Sequence, residues 1–77
     1  MSLAFILLKC DQRLEKEVLK EIGQINEVKE THETFGSYDA VVKIETSSPK
    51  QVKQIFNEKI RDLRGINSTL TLLEDYW

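Results

Sequence analysis

The stretch Leu3-Ala4-Phe5-Ile6-Leu7-Leu8 restricts this chain most, because it is apolar at both parities. Side chains alternate across a strand, so a strand of this sequence has no face suited to water. A short buried helix is the alternative, but the length and the Asp11 just beyond favour a strand. The stretch is far too short to cross a bilayer, and it lacks the positive n-region and small-residue cleavage site of a leader. A strand greasy on both sides needs cover on both sides.

The rest of the chain supplies cover for one side. Asp11 is the expected N-cap of a first helix, in which Leu14, Val18, Ile22 and Ile25 recur at near-helical spacing and Gly23 is the expected terminator. Arg13, Lys16, Glu17, Lys20 and Glu21 make its solvated face, with Arg13 and Glu17 placed to pair. Glu27–Thr34 is polar but β-prone, a less buried strand whose charges discourage edge pairing, and His32 reads as an exposed position within it. The hairpin Thr34-Phe35-Gly36-Ser37-Tyr38-Asp39 follows, with Gly36 supplying the positive φ of a tight turn. Behind it Ala40, Val42 and Ile44 share one face of a third strand, and Val41, Lys43 and Glu45 the other. Ser48-Pro49-Lys50-Gln51 is a capping box with proline at the first helical position. Val52, Ile55, Phe56, Ile60 and Leu63 form the second helix's apolar stripe, and Gly65 is the expected stop. Ile66–Leu73 alternates again, Leu70 and Leu72 on one face and Thr69, Thr71 and Leu73 on the other.

The order is β-α-β-β-α-β. Right-handed crossovers place both helices on one face of a four-stranded antiparallel sheet, the α+β ferredoxin-like plait, as a single domain over residues 1–77. The other face then carries residues of Leu3–Leu8, Val41 and Leu73, an apolar patch that a lone copy exposes and a second copy removes. A homodimer packed sheet on sheet is expected.

Composition narrows the function. With 77 residues the chain buries only ~60% of its unfolded surface, so association is a natural stabiliser. Cys10 is the only cysteine, which excludes an internal disulfide and fits a reducing cytoplasm. Cys10 and the single histidine, His32, have no ligand partner at a recognisable spacing, so neither metal nor cofactor is expected. The same shortage of a paired acid and base, or an activated nucleophile, argues against an enzyme. A formal charge of −2 with interspersed signs makes no basic stripe for nucleic acid. RNA binding on an open sheet would want exposed aromatics on the central strands, which here are aliphatic.

The apolar opening Ala4-Phe5-Ile6-Leu7, the segment Ile25-Asn26-Glu27-Val28, the hairpin Gly36-Ser37-Tyr38-Asp39 and the closing Leu63-Arg64-Gly65-Ile66-Asn67-Ser68-Thr69-Leu70-Thr71 together resemble one family. It is the effector-binding (RAM) domain of the Lrp/AsnC, or feast/famine, regulators. Family regulators carry an N-terminal helix-turn-helix, whereas here the first strand begins at residue 3, so a stand-alone form without direct DNA binding is expected. The resemblance implies dimers formed through the sheets, commonly joined into octamers or similar rings. Small-molecule sites, commonly for amino acids, would lie between dimers, and full-length Lrp/AsnC regulators are further possible partners.

Gly36, Tyr38, Asp39, Ser68, Thr69 and Thr71 match the family motif. The threonine hydroxyls and the Gly36 turn amides would hold a carboxylate. Asp39 would meet the ammonium, Tyr38 would wall the side-chain end, and Ser68 would add a further contact. The plainer reading stands beside this one: Asp39 as a cap and the threonines as good β-formers. Phe35 departs from the family, where a small or hydroxylated residue often precedes the glycine; it would narrow the pocket, change its preference or replace the ligand. An ACT-type domain shares the plait but places a glycine after the first strand, where this chain has none before Gly23. A purely structural assembly module is the remaining alternative. The Tyr76-Trp77 tail either frays or docks on a neighbour.

Overall fold

A computed structural model describes residues 2–75, the backbone alone for Asp75, so the expectation for the Tyr76-Trp77 tail lies outside the described residues. The elements are β1 (Ser2–Cys10), α1 (Glu15–Gly23), β2 (Val28–Glu33), β3 (Ala40–Thr46), α2 (Pro49–Ile55) continued by a π turn (Phe56–Ile60), and β4 (Ile66–Asp75). The sheet runs β2-β3-β1-β4 with every neighbouring pair antiparallel, which is the ferredoxin-like plait. No helix of the described residues is long and apolar enough to cross a membrane.

The double-sided apolar strand sits at the centre, as its composition requires. Ala4, Ile6 and Leu8 of β1 are fully buried with Ala40, Val42 and Ile44 of β3, beneath Val18 and Ile22 of α1 and Val52, Ile55 and Ile60 of the second helical segment. The opposite parity, Leu3, Phe5, Leu7 and Val41, is only half-buried because no helix lies over it. The register adds Leu70 and Leu72 of β4 to this bare face, opposite Leu7 and Phe5, at 43% and 52% exposure. Leu73 is not part of it. It pairs with Ala4 and shares the helix side with Thr71, so the sequence expectation for Leu73 is corrected by the period-two alternation itself. The apolar half of the bare face lies over β1 and β4. Over β2 and β3 it carries charge, with Lys43 Nζ 3.4 Å and His32 Nε2 2.8 Å from the Glu30 carboxylate.

Two helix starts differ from expectation for local reasons. Asp11 Oδ1 accepts from the Arg13 amide at 2.9 Å, and its Oδ2 accepts from the Arg13 guanidinium at 2.9 Å. Asp11 thus closes a turn ahead of α1, whose N-cap is Leu14 without a side-chain cap, and Arg13 pairs backward with Asp11 rather than with Glu17. Ser48 caps α2 as the motif requires, its hydroxyl accepting from the Gln51 amide at 3.3 Å. Gln51 closes the box one residue early, its Oε1 accepting from the Ser47 amide at 3.1 Å and from the Ser47 hydroxyl at 2.8 Å.

The second helix gains a residue in its last turn. Arg61 N–H donates to the Phe56 carbonyl at 2.8 Å, the i to i+5 bond of a π turn. Ile55 and Ile60 are five apart, which an α-helix would splay by more than a quarter turn; the π turn brings both into the core. The chain then turns to Gly65, whose φ of +104° lets its carbonyl accept from Asp11 N–H at 2.8 Å. That bond ties the entry of β4 to the exit of β1.

Candidate functional site

The hairpin between β2 and β3 is closed from within. Thr34 N–H donates to the Asp39 carbonyl at 2.9 Å, and the Thr34 hydroxyl donates to the Tyr38 carbonyl at 2.8 Å. Gly36 turns the chain at φ +103°. Asp39 N–H donates to the Leu8 carbonyl at 2.7 Å, anchoring the hairpin to β1. The Asp39 carboxylate reaches further and accepts from Cys10 N–H at 2.9 Å, at the bulge where β1 leaves the sheet. Asp39 is therefore a cap, but of the neighbouring strand rather than of its own turn. Tyr38 has its ring 5.7 Å from Lys9 Nζ, over the end of β1, a cation–π contact.

An open pocket of about 460 Å³ lies beside this hairpin, formed by Gln12, Glu15, Glu33, Thr34, Phe35, Gly36 and Asp39. Its character is acidic. A hydrogen bond from Glu33, with desolvation and the charges of Glu33 and Asp39, raises the Glu15 carboxyl above its ordinary value. Cys10, 5% exposed, adjoins the corner; burial pushes its thiol up, and Glu15, Asp39 and Asp11 push it further. The ligating atoms of Cys10, Glu15 and Asp39 lie within 4.8 Å of one another. Three elements bring them together, so the spacing rule that set Cys10 aside had no means of seeing them. Glu33 adjoins the hairpin in sequence, but nothing in the positions of Gln12 and Glu15 points to it, and only the docking of the start of α1 beside β2 places them there.

The β4 residues do not complete this corner within one chain. Thr69 pairs with Leu8 and Thr71 with Ile6, both on the helix side, so β1 lies between them and Asp39, and neither threonine lines the hairpin pocket. Ser68 pairs with Lys9 and belongs to the bare face. Thr71 instead lines a second, apolar groove of about 610 Å³ between α2 and β4, with Leu73, Pro49, Val52 and Phe56. The helices pack mainly on β1, β2 and β3, which leaves the helix side of β4 open to this groove. Gly36 and Asp39 thus share the hairpin pocket, Tyr38 lies over Lys9 outside its lining, and Thr69 and Thr71 lie apart from both on β4.

Comparison with known proteins adds the following. Residues 3–73 match the family described as the Lrp/AsnC ligand binding domain. An uncharacterised HTH-type transcriptional regulator of Pyrococcus horikoshii is 32% identical over 73 residues, covering 91% of this chain and 49% of that protein. The homocitrate synthase of Sulfurisphaera tokodaii is 39% identical over 71 residues, covering 91% of this chain and 15% of the enzyme. The chain therefore spans about half the length of the regulator and a small part of the enzyme. A hypothetical protein of Pyrococcus horikoshii has the same structure, with a TM-score of 0.94 at 36% identity over 100% of this chain and 93% of that one. A transcriptional regulator of Neisseria meningitidis in complex with L-Met shares the fold, with a TM-score of 0.86 at 10% identity over 97% of this chain and 50% of that one.

Proposed function

This chain belongs to the Lrp/AsnC ligand-binding domain family, and from that premise we propose that it is a non-enzymatic effector-binding and oligomerisation module whose effector is a free amino acid. The observation that carries the reading is the hairpin corner, where a glycine turn and three carboxylates surround an open pocket. An amino acid's ammonium answers the acidic side. Its carboxylate needs donors, which the Gly36 turn offers through its amides and which Thr69 and Thr71 offer through their hydroxyls. One chain keeps these two donor sets apart, so in this reading a second copy completes the site, between dimers. Support also comes from the Neisseria regulator, which shares the fold and holds L-Met.

The bare face favours the dimer itself. Leu3, Phe5, Leu7, Leu70 and Leu72 form a contiguous apolar surface that a second sheet removes from water. Calorimetric titration of the twenty amino acids into the assembled protein tests the reading. A saturable heat for a subset is expected; none at millimolar concentration, with the particle intact, reduces the chain to an assembly module. A second reading rests on the homocitrate synthase similarity: the same module would regulate a biosynthetic enzyme instead of transcription. Co-purification with such an enzyme, rather than with a DNA-binding regulator, distinguishes the two.

A further inference from the structure

Phe35 is fully exposed at the hairpin tip, held out by the Gly36 turn. A large aromatic standing free of its own chain is an anchor shape, since aromatics in pockets carry most interface energy. Its surroundings are acidic, with Glu33, Glu15 and Asp39 in the adjoining pocket. The groove between α2 and β4 has the complementary character. Its walls are Pro49, Val52, Phe56 and Leu73, with Leu73 still 48% exposed, and the exposed Lys50 and Lys53 stand along α2 beside them. An acid-flanked knob and a lysine-flanked apolar hole thus occur on one molecule.

They cannot meet within that molecule. The hairpin belongs to the β2 edge and the groove to the β4 edge, with β3 and β1 between them. At about 4.8 Å per strand spacing the two edges are ~14 Å apart before the hairpin's outward reach is added. We propose that Phe35 of one copy seats in the α2–β4 groove of a second copy, its ring against Phe56 and Leu73 and its flanking carboxylates against Lys50 and Lys53. The contact is heterologous when the groove of each copy takes the knob of the next, and it then propagates from copy to copy, closing as a ring where the rotation permits.

This inference deepens the effector reading, because Thr71 lines the groove and Gly36 adjoins the knob. Seating Phe35 brings the Gly36 turn of one copy to Thr71 of the next across the interface. The phenyl ring then forms the apolar wall of the effector's pocket, so the pocket favours a ligand small enough to share the groove with it.

Native mass of the full chain without added ligand tests assembly separately from effector binding. Phe35→Ser removes the knob and Lys50→Glu/Lys53→Glu reverses the rim; all three positions are exposed, so the fold is retained. Each variant is expected to weaken association beyond the dimer roughly thirtyfold or more. A Glu33→Lys change on the reversed rim is expected to restore part of it. Mixing Phe35→Cys chains with Lys53→Cys chains under mild oxidation is expected to give a disulfide-linked pair, Cys10 being buried. Unchanged native mass in both variants overturns the proposal. So does loss with Phe35→Ser alone, which would seat the ring elsewhere, and so does a wild-type chain that stays monomeric or dimeric. A calorimetric blank with the assembly intact would instead defeat the effector reading and leave the knob in place.

Discussion

Gly65→Ala is the substitution that most sharply tests the approach of α1 to the entry of β4. A Cβ at Gly65 would lie 2.9 Å from Leu14 Cβ, 3.2 Å from Leu14 Cδ1 and 3.2 Å from Val18 Cγ2. Leu14 Cβ is fixed to the backbone, so no rotamer change clears it, and Val18 is buried in the core. The position also has φ +104°, where an L side chain is strained by roughly 1–2 kcal/mol. Overpacking of this kind adds ~1–3 kcal/mol. Gly36→Ala is the matched control: φ is +103°, but nothing lies within 4 Å of the added methyl, so only the conformational strain applies. The expected loss is about 2–5 kcal/mol at Gly65 against about 1–2 kcal/mol at Gly36. For a chain this size, total stability is on the order of 4–12 kcal/mol, so the first loss is a large fraction of it. Urea denaturation at one fixed protein concentration measures both, since an oligomer's stability depends on concentration. Equal losses at the two glycines would refute the close approach of α1 to the entry of β4.

Three further outcomes follow from the corner and the bare face. Asp39→Ala leaves Cys10 N–H without its acceptor and is expected to cost about 1–3 kcal/mol, whereas Asp39→Asn keeps an acceptor and loses only the charge. Amino acid affinity that falls in Asp39→Asn, with urea stability held, assigns the carboxylate to the ligand. Glu15's raised value means that its pairing with Glu33 stabilises the fold fully below the ordinary carboxyl range and is lost as pH rises through the raised value. Glu30 runs oppositely: held down by its hydrogen bonds to His32 and Lys43, it contributes above the ordinary range and the contribution is lost on acidification. Carboxyl NMR titration is expected to show Glu15 returning toward normal in Glu33→Gln with Glu30 unmoved; a Glu15 that stays raised would assign the shift to burial instead. Leu72→Lys, on the bare face at 52% exposure, is expected to leave the circular dichroism spectrum unchanged and to convert dimers to monomers by sedimentation.

The sequence made the fold legible because its local signals agreed with one another. The two-sided apolar strand, the Ser48 cap with Pro49, and the Gly36 turn each admit few alternatives, and each is where it was expected. What escaped was of three kinds. The π turn left a trace in the five-residue step from Ile55 to Ile60, but that step also fits the fraying end of an ordinary helix. The acidic corner was legible only at Asp39 beside the Gly36 turn; Cys10 and Glu15 come from β1 and α1 and join it only after the sheet and α1 have packed. Leu73 shows a third limit. Its parity with Thr71 was legible, but which face of β4 would remain open depends on how far α2 reaches across the sheet, and that is a tertiary quantity.

That reach decides where the chain can carry function. α2 packs on β3 and β1 and stops short of β4, so the last strand is open on both sides. Its bare-face leucines suit a second sheet, and its helix-side Thr71 and Leu73 suit a projection from another copy. At the opposite edge β2 carries Lys29, Glu30, His32 and Glu33, charges that discourage the pairing β4 leaves available. One guarded edge and one open edge are what the proposed directional contact between copies requires, and such a contact closes as a ring where its rotation permits. An effector lodged between the hairpin of one copy and β4 of the next would then add contacts to both at once. Its binding free energy would appear as a tighter ring, with ligand affinity and assembly rising together by the same factor, as linkage requires.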